Sequence, residues 1–240
     1  MLGLGTLFNV SGILLGAVFG LARFKPLRVS TESYLRILLA AFTVWFGLRL
    51  TWLSLGGSFW QVSKQLLIVL VSLSLGRLTG RLLRLQKMSN RLGQGARERL
   101  AAASDGGGAP AAGFKTCAAL FCAAPLGFLG ALQDGWSSYP YPLVSKGVMD
   151  GLAAFGFVSL FGWGVLLSVV PVLALQGSLT VLAARVLGPF LVAHGLLNSV
   201  NAVGGLLVFC VALIMLGLKR LELTDYLPSL AMAPLLTWLW

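Results

Sequence analysis

The chain has 240 residues, of which 58% are hydrophobic and only 10% are charged, and its mean hydropathy is +0.90. This composition excludes a soluble globular domain and predicts an all-α protein that crosses a membrane several times. In such a protein the formal net charge of +11 indicates basic cytoplasmic loops rather than a nucleic-acid partner.

Eight apolar runs are long enough, or nearly so, to cross the roughly 30 Å of a bilayer as helices. In chain order they are residues 3–22, 34–54, 61–83, 115–132, 148–169, 172–189, 194–217 and 226–240. Seven spans are the alternative count, because some runs are only marginally long. The first run has its nearest basic residues after it, so we expect a retained span rather than a cleaved signal peptide. Residues 1–240 are therefore predicted to form a single integral membrane domain.

Basic residues indicate on which side of the membrane each loop lies. They cluster in residues 23–36, 77–99 and 219–220, which fall on one side if all eight runs span. Because basic loops stay in the cytoplasm, both termini are predicted to lie outside. Residues 85–114 run from basic to Gly/Ala-rich and are predicted to be a flexible cytoplasmic loop. The basic segment 85–99 either binds anionic lipid heads or is an ordinary retained loop.

Glycines at four-residue spacing predict helix faces that pack closely. Such faces contain Gly12, Gly16 and Gly20, the pair Gly76 and Gly80, and the pair Gly147 and Gly151. The same chain also repeats short motifs. Gly5-Thr6-Leu7 opens the first run and Gly177-Ser178-Leu179 lies in the sixth. We therefore predict an inverted repeat, in which spans 1–3 and 6–8 flank a central pair.

Asp150 is the carboxylate predicted to lie deepest in the membrane. Lys146 stands four residues before it, on the same helix face, and Gln133 and Asp134 precede the loop that leads to both. A charge at membrane depth must be paired, protonated or in contact with water, so these four residues are candidates for binding a cation, a proton or a polar solute. In the structural alternative, Asp134 forms a turn with Gly135, Asp150 stabilises the helix dipole and Lys146 extends to the membrane surface.

A second polar group interrupts the sixth run. Gln176, Gly177, Ser178 and Thr180 follow Pro171 in a stretch that is otherwise apolar. Proline removes a backbone donor, so the segment predicts a broken helix whose free backbone groups line a cavity. A tight turn between two ordinary spans is the alternative.

A third group consists of amides. Asn9 in the first run and Asn201 in the seventh are candidate solute ligands, or they bridge helices. The chain contains one histidine and three cysteines that lie in apolar runs, and it lacks the GxSxG, HExxH, P-loop and GxGxxG motifs. We therefore expect neither an enzyme nor a metal or other cofactor.

Six strings appear in order along nearly the whole chain. They are residues 5–9 (GTLFN), 130–135 (GALQDG), 146–151 (KGVMDG), 176–180 (QGSLT), 203–207 (VGGLL) and 227–236 (LPSLAMAPLL). In these strings the chain resembles the bacterial YqgA/YdfK-like membrane protein family, catalogued as domain of unknown function 554. It departs from the family pattern in the Gly/Ala-rich stretch 101–113 and in Leu175, where a tyrosine is expected. The resemblance implies a bacterial inner-membrane protein without an assigned activity.

The polar residues predict a transporter or channel for a small solute or ion. Asp150, with Asp134, would bind or exchange a proton or cation, and the segment around Gln176 would offer polar backbone to the substrate. The alternative is a non-transporting scaffold or sensor that binds a partner through its small-residue helix faces. The expected partners are the lipid bilayer and the small solute or ion, and a homo-oligomer is left open.

Overall fold

The structure is a computed structural model that describes residues 3–22, 24–25, 28–104, 109–219 and 221–240. Within these ranges the chain forms helices and connections without a β-strand, as its composition predicts. The α-helices are α1 Leu4–Leu21, α2 Val29–Ser54, α3 Phe59–Leu82, α4 Leu85–Ser104, α5 Pro110–Ala123, α6 Pro125–Ser137, α7 Tyr141–Phe161, α8 Val169–Leu182, α9 Gly188–Ala193, α10 Leu197–Met215 and α11 Ser229–Leu239. Arg23 and Arg220, members of the predicted basic clusters, lie outside the described residues.

Five helical segments of the described chain are long and apolar enough to cross a membrane, and the bent pair α5 and α6 makes a sixth if it forms one span. One of the five is the run Tyr141–Ala193, which contains 53 residues. A straight helix of that length would measure about 80 Å, more than twice the hydrocarbon thickness of a bilayer. The run must therefore contain more than one pass, and the total number of spans stays a prediction.

Glycines bring α1 and α7 into backbone contact. A Cβ atom added to Gly12 would overlap the carbonyl oxygen of Gly147, and one added to Gly16 would overlap that of Gly151. Because residue numbers rise together along both helices, α1 and α7 are parallel. The predicted glycine faces thus pack against each other.

α8 crosses α1 in the opposite direction. The Nδ2 atom of Asn9 donates to Oε1 of Gln176 over 2.9 Å, and the hydroxyls of Thr6 and Thr180 lie 3.2 Å apart. One residue number rises as the other falls, so α1 and α8 are antiparallel. The chain therefore reverses between α7 and α8. The reversal begins at Gly162, whose φ of +60° ends α7, and continues as a 3₁₀-helix to residue 168.

The same close packing recurs at two antiparallel crossings. In α2 and α10, Gly47 meets Gly205, with a Cβ position on Gly47 only 2.7 Å from the Gly205 carbonyl oxygen. In α3 and α11, Gly76 meets the start of α11 at Ser229. Around these crossings lie two apolar cores, one between α1, α5 and α7 and the other centred on α6, α10 and α11.

The predicted flexible loop is largely a helix. α4 covers Leu85–Ser104 and packs against α5, with Ala96 and Ala103 buried. Gln86 fixes the start of α4, because its backbone N–H donates to Oδ1 of Asp225 over 2.7 Å. Leu, Gln, Arg and Ala favour helix, and this propensity outweighs the few glycines. Residues 105–108 lie outside the described chain, and the cytoplasmic side of this segment stays a prediction.

Candidate functional site

Lys146 and Asp150 form an ion pair inside the helix bundle. The Nζ atom of Lys146 contacts Oδ2 of Asp150, one turn along α7, as their spacing predicts. Only 2% of Lys146 is exposed, so its ammonium is enclosed by the protein. The ring of Phe121 lies 5.9 Å from this ammonium. A buried pair of this kind is costly to desolvate and is weak evidence for stability alone.

A polar seam between α1, α6 and α8 joins the ion pair. In this seam Nδ2 of Asn9 donates to Oε1 of Gln176, and Gly127 of α6 adjoins both Gln176 and Lys146. Thr180 belongs to the same seam and donates to the carbonyl of Ala131 over 3.1 Å. Both amides keep an unused polar atom, since Asn9 Oδ1 and Gln176 Nε2 find no partner in the described part of the chain. Unsatisfied buried amides at membrane depth favour a bound solute or water.

Gly127 connects the two groups from the side of α6. A Cβ atom placed there would lie 2.9 Å from Cε of Lys146 and 3.0 Å from Nε2 of Gln176. Cε of Lys146 and Nε2 of Gln176 therefore occupy the space that a side chain at residue 127 would need. Sequence reasoning missed this residue, because a single glycine between apolar residues gives no distinctive signal.

Asp134 lies apart from the ion pair. It is fully buried, and its Oδ2 accepts the backbone N–H of Gly5 over 3.0 Å, while its Oδ1 has no partner among the residues described. The carboxylate thereby caps the first turn of α1, where free N–H groups favour negative charge. The structural alternative of a turn at Asp134 is wrong, because α6 continues to Ser137.

Removing this cap should loosen the start of α1. We expect Asp134→Ala to lower the free energy of unfolding by about 1–2 kcal/mol, since one N–H at the helix start loses its acceptor. Asp134→Asn keeps an acceptor oxygen and should lose less than half as much. Unfolding midpoints in mixed detergent micelles measure both variants. Equal losses in the two would show that the bond to Gly5 does not stabilise α1.

Gln133 and Asn201 face a different part of the bundle. Gln133 is fully buried against Gly204, whose Cβ position lies 2.6 Å from Nε2 of Gln133. Within the described ranges neither amide atom of Gln133 has a hydrogen-bond partner. Asn201 accepts from Trp136 Nε1 over 3.0 Å and from Ser137 Oγ over 2.8 Å. Asn201 therefore links α10 to α6 by hydrogen bonds, which is the structural alternative for this amide.

The broken helix predicted around Gln176 is wrong. α8 is continuous from Val169 to Leu182, because Pro171 stands in its first turn, where a missing N–H costs nothing. Gly177 faces open space. Ser178 is exposed and bonds back to the carbonyl of Leu175, so neither residue joins the site.

A sharp bend between two apolar helices occurs at Ala124 instead. α5 and α6 meet there at an angle of 59°, because Pro125 holds Ala124 extended at ψ 122°. A cavity of about 290 Å³ adjoins this break and reaches Lys146 and Asp150. A second cavity of about 530 Å³ reaches Ala124 from the side of α4, where Arg97 lines it. The described residues contain no group of three or more His, Cys, Asp or Glu that could hold a metal ion.

Comparison with known proteins decides the family. The sequence profile of the family described as "Protein of unknown function (DUF554)" matches residues 4–238. The chain belongs to this family. Relatives of the DUF554 chain include "Uncharacterized membrane protein YdfK" of Bacillus subtilis (strain 168), which is 27% identical over 96% of this chain and 93% of its own length. "Uncharacterized protein YqgA" of Escherichia coli (strain K12) is 32% identical over 50% of this chain and 51% of its own length. No solved structure matches this DUF554 chain with significance.

The family match agrees with the sequence resemblance and with the helical fold. A relative named as a membrane protein and several long apolar helices make this DUF554 chain an integral membrane protein. The contact of its apolar helices with the lipid bilayer follows from that class.

Proposed function

We propose that the protein transports a small polar solute or ion across the bacterial inner membrane, with the Lys146–Asp150 pair at its binding site. The observation that carries this proposal is the position of that pair. Lys146 is buried and Asp150 is partly buried, and the pair adjoins a cavity of about 290 Å³ and a seam with unused amide atoms. Ionisable groups inside a membrane commonly mark solute and proton pathways.

The ion pair would couple solute to proton if solute binding separates its two partners. A solute that takes the place of either partner leaves the other charge unpaired at membrane depth. If the displaced partner is Asp150, its carboxylate takes up a proton from water and becomes neutral. Binding of solute and proton would then occur together, which is the basis of coupled transport.

The pairing of helices supports an inverted repeat. α1 and α7 are parallel, and α6 and α8 are also parallel, since Gly127 lies beside Gln176 and Ala131 beside Thr180. An axis in the membrane plane that exchanges α1 with α8 would exchange α7 with α6. Such an arrangement permits alternating access around a central site. We propose eight passes, because the helix directions alternate as that number requires. We propose that both termini lie outside, because the basic clusters would then face the cytoplasm.

Asp150→Asn in liposomes tests the transport proposal. Purified full-length protein is reconstituted with an internal pH-sensitive dye and exposed to a panel of small solutes. We expect solute-dependent proton flux with the wild type and the level of empty liposomes with Asp150→Asn, because an amide exchanges no proton at neutral pH. The matched control Ser178→Ala, which changes an exposed hydroxyl, should retain wild-type flux. The absence of solute-dependent flux in every variant would exclude transport of the solutes tested, and equal flux in wild type and Asp150→Asn would remove Asp150 from the mechanism.

The scaffold alternative is less well supported. It relies on small-residue faces that are free to bind a partner, but the glycines of α1 and α7 are in contact with each other. Gly76 and Gly80 likewise face Ser229 and Asp225 of the same chain. These surfaces are used inside the protein.

A further inference from the structure

We propose that α4 lies along the bilayer surface and binds anionic phospholipids through Lys87, Arg91 and Arg99, with Met88 and Leu92 among the acyl chains. This inference is independent of the transport proposal, because none of these side chains belongs to the Lys146–Asp150 site. It rests on the position of α4, on the side chains that its exposed face carries and on their lack of partners in the described chain.

α4 begins where a helix that is long and apolar enough to span ends. α3 ends at Leu82, and α4 starts three residues later at Leu85. The bond from the backbone of Gln86 to Asp225 holds this first turn against the bundle. α5, the next apolar helix, begins at Pro110. α4 itself is not among the described helices that are apolar enough to span. It therefore connects two membrane helices on one side of the bilayer and lies at its surface.

One face of α4 is exposed and carries both apolar and basic side chains. Met88 and Leu92 stand four residues apart, as do Lys87 and Arg91, and Arg99 follows two turns after Leu92, so all five share one side of the helix. We call these five residues the outer face. Met88 is 60% exposed and Leu92 is 54% exposed, and the three basic residues are exposed as well. Exposed apolar side chains beside cations are typical of helices that lie in the membrane interface.

The remainder of α4 faces the protein and fixes the rotation of the helix. Ala96 and Ala103 are buried where α4 packs against α5. Ser89 and Gln94 line the cavity of about 530 Å³ that reaches Ala124. The outer face therefore points away from the bundle, and the described part of the chain leaves its apolar side chains uncovered.

The basic side chains of the outer face lack acidic partners. Within the described ranges none of the three forms a salt bridge. α4 contains one acidic residue, Glu98, whose Oε1 accepts from Nε2 of Gln94 over 3.0 Å. The acids near the start of α4 are engaged elsewhere, since Glu222 pairs with Arg81 and Asp225 accepts a backbone N–H. The outer face thus presents cations that are available to an external anion.

An anionic phospholipid fits the outer face better than other polyanions. Its phosphate accepts hydrogen bonds from the cations, and its acyl chains cover the two apolar side chains. A nucleic acid supplies phosphates but leaves Met88 and Leu92 exposed to water. The position of α4 next to the end of α3 brings both kinds of side chain to the height of the lipid headgroups. The outer face is therefore complementary to the bilayer in which the protein is embedded.

Native mass spectrometry measures the lipid preference. Purified full-length protein in a neutral detergent is mixed with equal amounts of phosphatidylglycerol and phosphatidylcholine that carry the same acyl chains. We expect the wild type to retain phosphatidylglycerol in preference. The triple variant Lys87→Gln, Arg91→Gln and Arg99→Gln should bind phosphatidylglycerol at least about ten-fold more weakly. Wild-type retention by this variant would overturn the proposal.

A matched triple variant controls for total charge. Lys25→Gln, Arg28→Gln and Arg36→Gln removes the same charge from exposed residues of another basic cluster. We expect this variant to keep more than half of the preference of the wild type. Equal losses in the two triple variants would assign the preference to the overall charge of the protein and would overturn the site on α4.

Hydrogen–deuterium exchange in nanodiscs tests the insertion of α4 and needs no charge substitution. Backbone amides of residues 85–100 should exchange at least about three-fold more slowly in an equal mixture of phosphatidylglycerol and phosphatidylcholine than in phosphatidylcholine alone. The double variant Met88→Gln with Leu92→Gln keeps the cations and should lose this protection. Equal exchange in the two kinds of nanodisc would contradict the inference. Protection by added poly-L-glutamate in phosphatidylcholine alone, without an effect of phosphatidylglycerol, would assign an acidic protein partner instead.

Discussion

Gly16→Ala is expected to destabilise the protein by about 3 kcal/mol, because the added methyl group overlaps the backbone of α7. The Cβ atom would collide with the carbonyl carbon and oxygen of Gly151 rather than with a side chain that can move. The two helices would have to separate along their whole contact. We expect Gly16→Ala to unfold in mixed micelles at a lower denaturant concentration than the wild type. Fluorescence or circular dichroism measures the unfolding.

Gly156→Ala is the matched control for this experiment. Gly156 is also helical and lies on α7, but a Cβ atom there meets nothing within 4 Å. Alanine should leave stability unchanged or raise it by roughly 0.5 kcal/mol, since alanine favours helix. Equal unfolding midpoints for Gly16→Ala and Gly156→Ala would contradict the direct contact of α1 with α7.

Lys146→Met is expected to lower the free energy of unfolding by about 3–5 kcal/mol, because it leaves the carboxylate of Asp150 unpaired at membrane depth. The double variant Lys146→Met with Asp150→Leu removes both charges. It should recover most of that loss, since hydrophobic residues of similar volume commonly replace a buried ion pair without cost. Unfolding midpoints of the wild type, the two single variants and the double variant form a complete cycle.

That cycle measures the coupling energy between the charges of Lys146 and Asp150. A loss in the double variant that is smaller than the sum of the two single losses shows that the two charges stabilise each other. Additive losses would mean that Asp150 is charged but not paired with Lys146, or that it is already neutral. In either case the ion pair would not be the centre of the site.

The sequence predicted the class of the fold because lipid imposes strong rules on composition. It also predicted the pairing of Lys146 with Asp150, since residues four apart on a helix share a face. It identified Gly12 and Gly16 as packing residues but gave no sign of their partner, because α7 lies far away in the chain. Contacts between distant segments depend on how all helices are arranged.

Two prolines show most clearly what could not be predicted from the sequence. Pro171 and Pro125 both stand in apolar stretches, and the sequence predicted a break at the first of them. The outcome depends on where the preceding helix ends. α7 ends at Phe161, so Pro171 falls in the first turn of α8 and is harmless, whereas Pro125 begins α6 two residues after the end of α5 at Ala123. The bend after α5 also places Gly127 of α6 beside Lys146 and Gln176.

The hydrogen bond between Asn9 and Gln176 joins residues that are 167 positions apart in the chain. During synthesis α1 is therefore made and inserted long before the helix that completes its polar seam exists. Until α8 arrives, Asn9 and Thr6 must be satisfied by water or by other temporary partners within the bilayer. Assembly of the site is thus a late event, and chains that end before α8 would leave the amide of Asn9 without Gln176.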